Sequence, residues 1–472
     1  MQFSAVHKRI RPRTHLYDLA RGRLAQPVVA LAGANGHIEA GEVVALHGPN
    51  GSGKTTLLSL LAGVSAPDAG TVATATAPAA LLGARLGLIP HCTVARQLAL
   101  SAADAADPDQ LARLVARLGL ADVLTRRSDE LSAGQRARCA VACAILAGCH
   151  TWLLDEVTSA LDDETLANVL DLLRGRGDTV VLVAHDGRAL VDRTIALREG
   201  RSEAVNLPRT PERPAPRPRA SLAGLRTALR FVGASERRPG PWLRRVIVAL
   251  AGLLLPWQLS QGALHPRDMA AAMWCGLAAL GLQVAAGEDG LRRLTALIST
   301  GLDDVLRARG VGLSGLTLAC LGPPLAFGAV WALCVPWLVT ALLGTRPTLS
   351  WPALALCAAA FLAIAGVALL TFSLAILLRN SSPLPWLLHL ATLALGPVAV
   401  ARTQLPTSLR VLGEHLPASL LAPALRQLSG LPTPVPQAPW LAALVWLAAG
   451  LLGARAALRQ LARQGSLGLR TL

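Results

Sequence analysis

The apolar residues of this chain follow two different patterns. Up to about residue 205 they come in short runs. Val43–Leu46 leads into a glycine-rich turn, and Thr56 to Gly63 then continues as a helix. Thr151–Leu154 ends in Asp155 and Glu156, and Val180–Val183 ends just short of His185. Short buried runs alternating with helical stretches predict an α/β fold. From about residue 242 the pattern changes to six long apolar stretches, near 243–262, 269–286, 312–343, 351–378, 384–401 and 439–458. A helix of about 20 residues crosses a ~30 Å hydrocarbon core, and all six stretches are long enough. A buried globular core would not produce six such runs almost free of internal charge. The second half therefore reads as an all-α six-helix transmembrane domain. The third stretch is overlong and holds Pro323, Pro324 and Pro336, which predicts a kink or an interfacial part.

Between the halves, residues 206–220 are rich in proline and arginine and predict a semi-rigid linker. Ser221 to Val232 follows with Leu222, Leu225, Ala228 and Leu229 on one helical face, an amphipathic helix suited to a membrane surface. The expected organisation is a basic N-terminal arm at 1–27, a nucleotide-binding domain at 28–205 and a linker with connecting helix at 206–241. A transmembrane domain at 242–460 and a cytoplasmic tail at 461–472 complete it.

Composition supports this division. Charged residues are only 16% of the 472, and the mean hydropathy is +0.46. The net charge of +16 raises the question of nucleic acid. The basic residues cluster instead in the N-terminal arm, in the linker and beside the apolar runs, where arginine faces anionic lipid. Nucleic acid is not an expected partner. The eight cysteines show no Cys-x-x-Cys and no zinc spacing. Cys139 and Cys143, four apart, share a helical face and read as small buried residues of a reducing compartment. Met1 to Arg13 is basic without an apolar core, so no cleaved signal peptide is expected.

The chain has only two lysines, Lys8 and Lys54, and uses arginine almost everywhere else. Lys54 stands in Gly48-Pro49-Asn50-Gly51-Ser52-Gly53-Lys54-Thr55-Thr56. A Walker A loop needs this residue as a compact charge reaching the β- and γ-phosphates, while its glycines let backbone N–H groups turn toward phosphate. The helix that follows adds its positive end. Thr55 is the expected magnesium ligand. Asp155, at the end of an apolar run, suits a water-bridged magnesium, and Glu156 suits activation of the attacking water. Leu131-Ser132-Ala133-Gly134-Gln135 opens a further helix and reads as a second phosphate-binding N-terminus. A chain with one phosphate loop has use for a second anion site if it closes on a nucleotide held by another subunit.

These segments, in this order, with Ser159-Ala160-Leu161-Asp162 and His185 after them, resemble the ATPase domain of ABC transporters over roughly residues 28–205. The resemblance implies ATP and Mg2+ as cofactors. It implies that Lys54 and Thr55 bind phosphate and metal, that Asp155 supports the metal, that Glu156 is the catalytic base, and that His185 senses the γ-phosphate. Ser132, Gly134 and Gln135 would meet the ATP of the opposite subunit, and Asp162 would lie in the loop between the two sites. Ala133 and Val157 depart from the usual glycine and proline. Gln97 is a candidate for the glutamine that links nucleotide to membrane domain, although its neighbours resemble the segment after that loop. Tyr17, the chain's one tyrosine, either stacks on adenine or is a stray residue of the basic arm.

Positive-inside counting places the ATPase, the segment around Arg292 to Arg309 and the tail in the cytoplasm. Glu288-Asp289-Gly290-Leu291-Arg292-Arg293-Leu294 resembles the coupling segment of type-two ABC exporters, and residues 289–302 are expected against the ATPase. The 416–426 segment reads as an interfacial helix of the last outer loop. With its ATPase ahead of six spans, the chain resembles a G-subfamily half-transporter of the cytoplasmic membrane. It would pair with another copy of itself or a sister chain. The apolar stretches lack charges between their flanking arginines, so the expected cargo is hydrophobic or amphiphilic, such as a lipid. An ATP-gated membrane sensor that moves no substrate is the alternative.

Overall fold

The computed structural model describes residues 1–10, 26–74, 78–83, 85–102, 108–155, 157–183, 191–202, 222–235, 266–309, 311–343, 350–378, 390–392, 413–431 and 438–464. The chain divides into two compact units. One comprises Met1–Ser235, Thr295–Leu316 and Arg459–Leu472, and the other Glu236–Leu294 and Thr317–Leu458.

The first unit is α/β. Its strands are β1 (Gln2–Ile10), β2 (Val28–His37), β3 (Val43–His47), β4 (Ala69–Val72), β5 (Ala79–Leu82), β6 (Thr151–Leu154), β7 (Thr179–Val183), β8 (Arg193–Arg198) and β9 (Arg201–Ser202). Six of them form a sheet of order β5-β6-β7-β3-β8-β9, parallel except for the β8–β9 pair. The helices are α1 (Lys54–Leu61), α2 (Val94–Ser101), α3 (Pro108–Arg117), α4 (Ala133–Leu146), α5 (Asp163–Arg174) and α6 (Leu222–Ser235). Strands β3 and β6 read as unbroken apolar runs because both faces of the sheet are covered. Val43 and Ala45 pack with the buried residues of α4 and α5, while Val44 and Leu46 pack with Leu57, Leu58, Leu60 and Leu61 of α1. Each such leucine, buried fully, contributes about 1.5–3 kcal/mol.

The start of the expected basic arm is a strand. Residues 2–10 form the middle of a three-stranded antiparallel sheet, β2-β1-β4. Phe3 and Val6 both face inward only because a register shift falls between them, which is why simple alternation did not reveal the strand. Lys8 is only 1% exposed and donates to the Ala66 carbonyl (2.6 Å) and to Asp68 (3.3 Å). Its neighbours Arg9 to Arg13 made it resemble part of a solvated run. The expected amphipathic helix is present as α6. Within this unit α6 buries Ala228, Phe231, Val232 and Ala234, and the Ala234 carbonyl meets His91 Nε2 at 3.3 Å. Of the expected face, Ala228 is buried, Leu225 is half-buried and Leu229 is exposed.

The second unit is helical. It contains α7 (Pro266–Val284), which runs through one wide turn at Ala285–Asp289 into α8 (Gly290–Thr300), whose last residues enter the first unit. There α9 (Leu302–Ala308) follows. The chain returns through α10 (Leu313–Leu343), and α11 (Trp351–Leu378), α12 (Pro417–Leu428) and α13 (Pro439–Gln464) complete the described helices. Three described helices are long and apolar enough to cross a membrane, over Ser314–Ala341, Trp351–Leu377 and Pro439–Ala457. The 243–262 stretch and most of 384–401 lie outside the described residues. The third stretch forms one long helix, α10, which continues through Pro323, Pro324 and Pro336. The expected interfacial segment is instead an internal helix. In α12, Leu420, Leu421, Ala424 and Leu425 are at most 1% exposed, packed on α7 and α11. Gln283 donates to Thr392 across this interior at 3.0 Å.

Candidate functional site

The phosphate loop leaves β3 after the exposed His47 and closes on α1. Gly53 caps the helix at φ 100°, and a Cβ there would sit 2.4 Å from the Ala30 carbonyl oxygen. A Cβ on Gly48 would sit 2.1 Å from the Leu197 carbonyl oxygen. Neighbouring strands thus leave room for backbone alone, and the glycines are fixed by sterics as well as by conformation. Lys54 is buried, and its ammonium donates to the carbonyls of Gly48 (2.7 Å) and Pro49 (2.9 Å). The ammonium is therefore curled over the loop, where a phosphate would meet it. Ser52 is 3% exposed and its Oγ has no hydrogen-bond partner. A buried hydroxyl left unpaired in a cradle of N–H groups fits a phosphate oxygen. Pro49, Asn50, Gly51 and Thr55 lie exposed on the rim, with Thr56 half-buried.

Asp155 follows β6, and its N–H donates to the Leu82 carbonyl at 2.7 Å. Strands β6 and β3 are parallel members of one sheet with β7 between them, so both loops leave the same edge. Thr55 and Asp155 are the donors that would hold magnesium: a hydroxyl opening α1 and a carboxylate closing β6 are the oxygen ligands it takes. Glu156, His185 and Tyr17 lie outside the described residues.

The second anion site is a capped helix. Ser132 Oγ accepts from the Gln135 N–H (3.2 Å), and Gln135 Oε1 accepts from the Ser132 N–H (3.0 Å). This reciprocal box orients the start of α4. It also engages both polar side chains, so what α4 offers outward is its exposed N-terminal turn at Ser132 and Ala133. A Cβ on Gly134 would lie 3.2 Å from the Ala160 carbonyl oxygen, which makes the close approach there a reason for glycine. Asp162 caps α5, accepting from the Thr165 N–H at 2.7 Å, and Thr165 holds its carboxyl below the usual range.

Gln97 does not face this site. It is 1% exposed, and its amide donates to the Ile89 carbonyl (2.8 Å) and to Ser128 Oγ (2.9 Å). It staples two loops beneath α2. Gln97→Leu is expected to cost about 1–3 kcal/mol by removing both buried hydrogen bonds, although Ile89 and Ser128 each keep a bond to Cys92. Thermal melting should show the drop while turnover per folded molecule holds. Lost turnover with unchanged melting would return Gln97 to the site.

The loop after β5 holds a residue that sequence reading missed. Arg85 donates to the Ile298 carbonyl and pairs with Asp304 at 3.7 Å. Gly87 N–H donates to the Thr300 carbonyl at 3.1 Å. Arg307 donates to the Val64 carbonyl, just past α1. Arg309 donates to the Cys143 carbonyl (3.4 Å) and lies over the Phe231 ring, 5.9 Å from its centroid. The segment that folds into the ATPase unit is thus 295–316, displaced from the expected 289–302. The signal was available: Asp303 and Asp304 are two of only six acids after residue 242.

A parallel sheet with a lysine-bearing phosphate loop, an acid after a neighbouring strand and a second exposed helix N-terminus define a P-loop ATPase cassette. A profile of the ABC transporter family matches residues 31–159. Over 188 residues the chain is 36% identical to the thiamine import ATP-binding protein ThiQ of Vibrio cholerae, covering 35% of this chain and 79% of that protein. The chain belongs to the ABC transporter family and carries its ATP-binding ATPase cassette. It is also 33% identical over 241 residues to the macrolide export ATP-binding/permease protein MacB of Nitrosomonas europaea, covering 46% of this chain and 36% of MacB. The match therefore spans about a third of that relative's length. A solved dimeric bacterial ABC transporter cassette shares 24% identity at a TM-score of 0.36, covering 43% of this chain and 96% of that one.

Proposed function

We propose that the protein is an ATP-driven exporter, a half-transporter of the G-subfamily type that works as a pair of chains in the cytoplasmic membrane. One observation carries this reading. A single chain holds an ABC cassette and three helices able to span a membrane, and residues 295–316, between two stretches of the helical unit, fold into the ATPase unit. A fused ATP-binding/permease relative that exports macrolides supports the direction. Import ATP-binding proteins are also among the relatives, over about a third of this chain.

Lys54 and the amides of residues 48–56 hold the phosphates in this reading. Thr55 and Asp155 hold magnesium, which when bound neutralises phosphate charge. Glu156 accepts a proton from the attacking water, and His185 faces the γ-phosphate. The exposed start of α4 closes on the ATP of another copy or a sister chain, with Gly134 allowing close approach. Asp162 orders the loop between the two sites. The ATPase unit lies in the cytoplasm, and the absence of charged residues from α10 and α11 favours a hydrophobic or amphiphilic cargo.

Removal of Gln97 from the linking role also leaves room for the alternative reading, a gate that binds ATP and moves nothing. ATPase stimulation in lipid nanodiscs separates the two. A panel of hydrophobic compounds, lipids and small ions is expected to give at least about threefold stimulation by an apolar or amphiphilic member. Stimulation by a small hydrophilic ion alone would reject the cargo, and no stimulation by any member would favour the gate.

A further inference from the structure

Helix α6 turns one of its two sides into the ATPase unit. Ala228, Phe231, Val232 and Ala234 are buried there. Arg309 lies over the Phe231 ring, 5.9 Å from its centroid, and the Ala234 carbonyl meets His91 Nε2 at 3.3 Å. These contacts fix the rotation of the helix about its axis. The other side carries Arg226, Leu229, Arg230 and Gly233, all exposed. Their spacing places them in one stripe about 10 Å long.

The stability of the helix does not account for this stripe. Arginines four apart on a helix repel each other, and α6 holds no acid to separate them. Leu229, between them, is 38% exposed. The flanking sequence has the same sign, with nine arginines and one acid, Glu236, from Arg213 to Arg245. An anion set between Arg226 and Arg230 relieves their repulsion, and an apolar group beside that anion covers Leu229. A lipid phosphate at the boundary with its acyl chains offers both. A second copy of the same face does not, because in a two-fold contact arginine would meet arginine. Nucleic acid supplies the charge without the acyl chain. Position along the chain favours lipid as well. Leu243, in the first long apolar stretch, stands eight positions after Ser235, a reach of at most about 29 Å.

We propose that Arg226, Leu229 and Arg230 form a docking surface for anionic lipid headgroups of the cytoplasmic leaflet. The helix meets the bilayer through its arginine stripe while the ATPase unit holds its apolar side. This reverses the arrangement of an interfacial helix, which buries its apolar face among acyl chains. Attraction of this kind follows the anionic lipid content of the leaflet, and each arginine adds to it. It is also screened by salt, since the Debye length falls from about 8 Å at physiological ionic strength to about 3 Å at 1 M.

The proposal rests on the part of the exporter reading that inserts the helical unit in a membrane with its ATPase in the cytoplasm, and not on transport. A Cβ on Gly233 meets nothing within 4 Å, so Gly233→Cys takes a label without disturbing α6. Cys334 is exposed and the other seven cysteines are buried, so Cys334→Ser removes the competing thiol. The full chain with both substitutions, carrying an environment-sensitive fluorophore at 233, is placed in phosphatidylcholine nanodiscs with and without phosphatidylglycerol. Emission is expected to rise at least about twofold with phosphatidylglycerol and to fall back in about 1 M salt. Arg226→Gln with Arg230→Gln should abolish the rise without changing the melting temperature. Arg226→Lys with Arg230→Lys should keep it, because the leaflet's field acts on charge. An undiminished rise in the glutamine variant overturns the proposal. An equal rise when inorganic phosphate or a DNA oligonucleotide is added to phosphatidylcholine discs overturns it too, as the mark of a general anion patch. Inserted protein whose ATPase responds to cargo but whose emission ignores phosphatidylglycerol defeats this proposal alone. A chain that does not enter nanodiscs defeats the exporter reading along with it.

Discussion

Glu156→Gln is expected to lower ATP turnover at least about a hundredfold while ATP binding persists. A positioned general base contributes about 10²–10⁴ in rate, and the amide is isosteric but cannot take the proton. The elements that bind are untouched. Lys54 still curls over the loop, with its ammonium 2.7 Å and 2.9 Å from the Gly48 and Pro49 carbonyls. The unpaired Ser52 hydroxyl still faces inward. In the proposed pair the closing surface is the N-terminal turn of α4 from another chain, so ATP that is bound but not cleaved should hold two chains together. Gel filtration of Glu156→Gln in ATP and magnesium should show the dimer-sized species persisting, and wild type should revert as ATP is consumed. Lys54→Ala should show the opposite, with binding itself lost and no ATP-dependent association. Turnover at the wild-type rate in Glu156→Gln would remove Glu156 from the role of base.

The cassette was readable because its chemistry is local. Phosphate cradles are made of consecutive residues, so Gly48 to Thr56 and Leu131 to Gln135 carry their function in their order. The capping box of Ser132 and Gln135 is local in the same way, three residues apart. The buried runs of β3, β6 and β7 fall where continuous apolar residues predicted them. Gln97 failed as a reading because distance along the chain does not reveal which way a side chain turns. Its partners, Ile89 and Ser128, come from two different loops.

The joint around Arg85 was hidden for the same reason at larger scale. Arg85 and Asp304 are over two hundred residues apart, and no periodicity relates them. Arginine is so common in this chain that one more near a loop carried no signal. The acids were the better guide, since Asp303 and Asp304 sit in a half of the chain where acids are rare. Helix positions relative to a membrane surface were equally opaque. Helices α6 and α12 are amphipathic, but a lipid surface and a protein core demand the same apolar face. Only the burial of Leu421 and Leu425 shows that protein covers α12, whereas α6 buries Phe231 and Val232 and leaves Leu229 exposed.

In the membrane unit the largest effect is expected from a single glycine. Helices α11 and α13 meet where Gly366 and Gly450 face each other. A Cβ on Gly450 would lie 2.3 Å from the Gly366 carbonyl oxygen and 3.0 Å from its Cα. A Cβ on Gly366 would lie 2.4 Å from the Trp446 carbonyl carbon. In lipid the tails are as apolar as leucine, so helices associate through close packing rather than by escape from water. Backbone contact of this kind is what a side chain destroys. Even alanine would force the helices apart, and Gly450→Leu must separate them by several ångströms or leave the site altogether. Overpacking costs about 1–3 kcal/mol where the surroundings yield, and more where they are backbone. Gly281 on α7 supplies the control, since a Cβ there meets nothing within 4 Å. In detergent, Gly450→Leu is expected to lose most of its monodisperse protein and Gly450→Ala to melt several degrees lower, while Gly281→Ala melts like wild type. Nucleotide binding by the folded ATPase unit should survive in all three, which separates a failure of helix packing from a failure of the whole chain. Gly450→Leu with wild-type yield and melting would show that α11 and α13 do not make this contact.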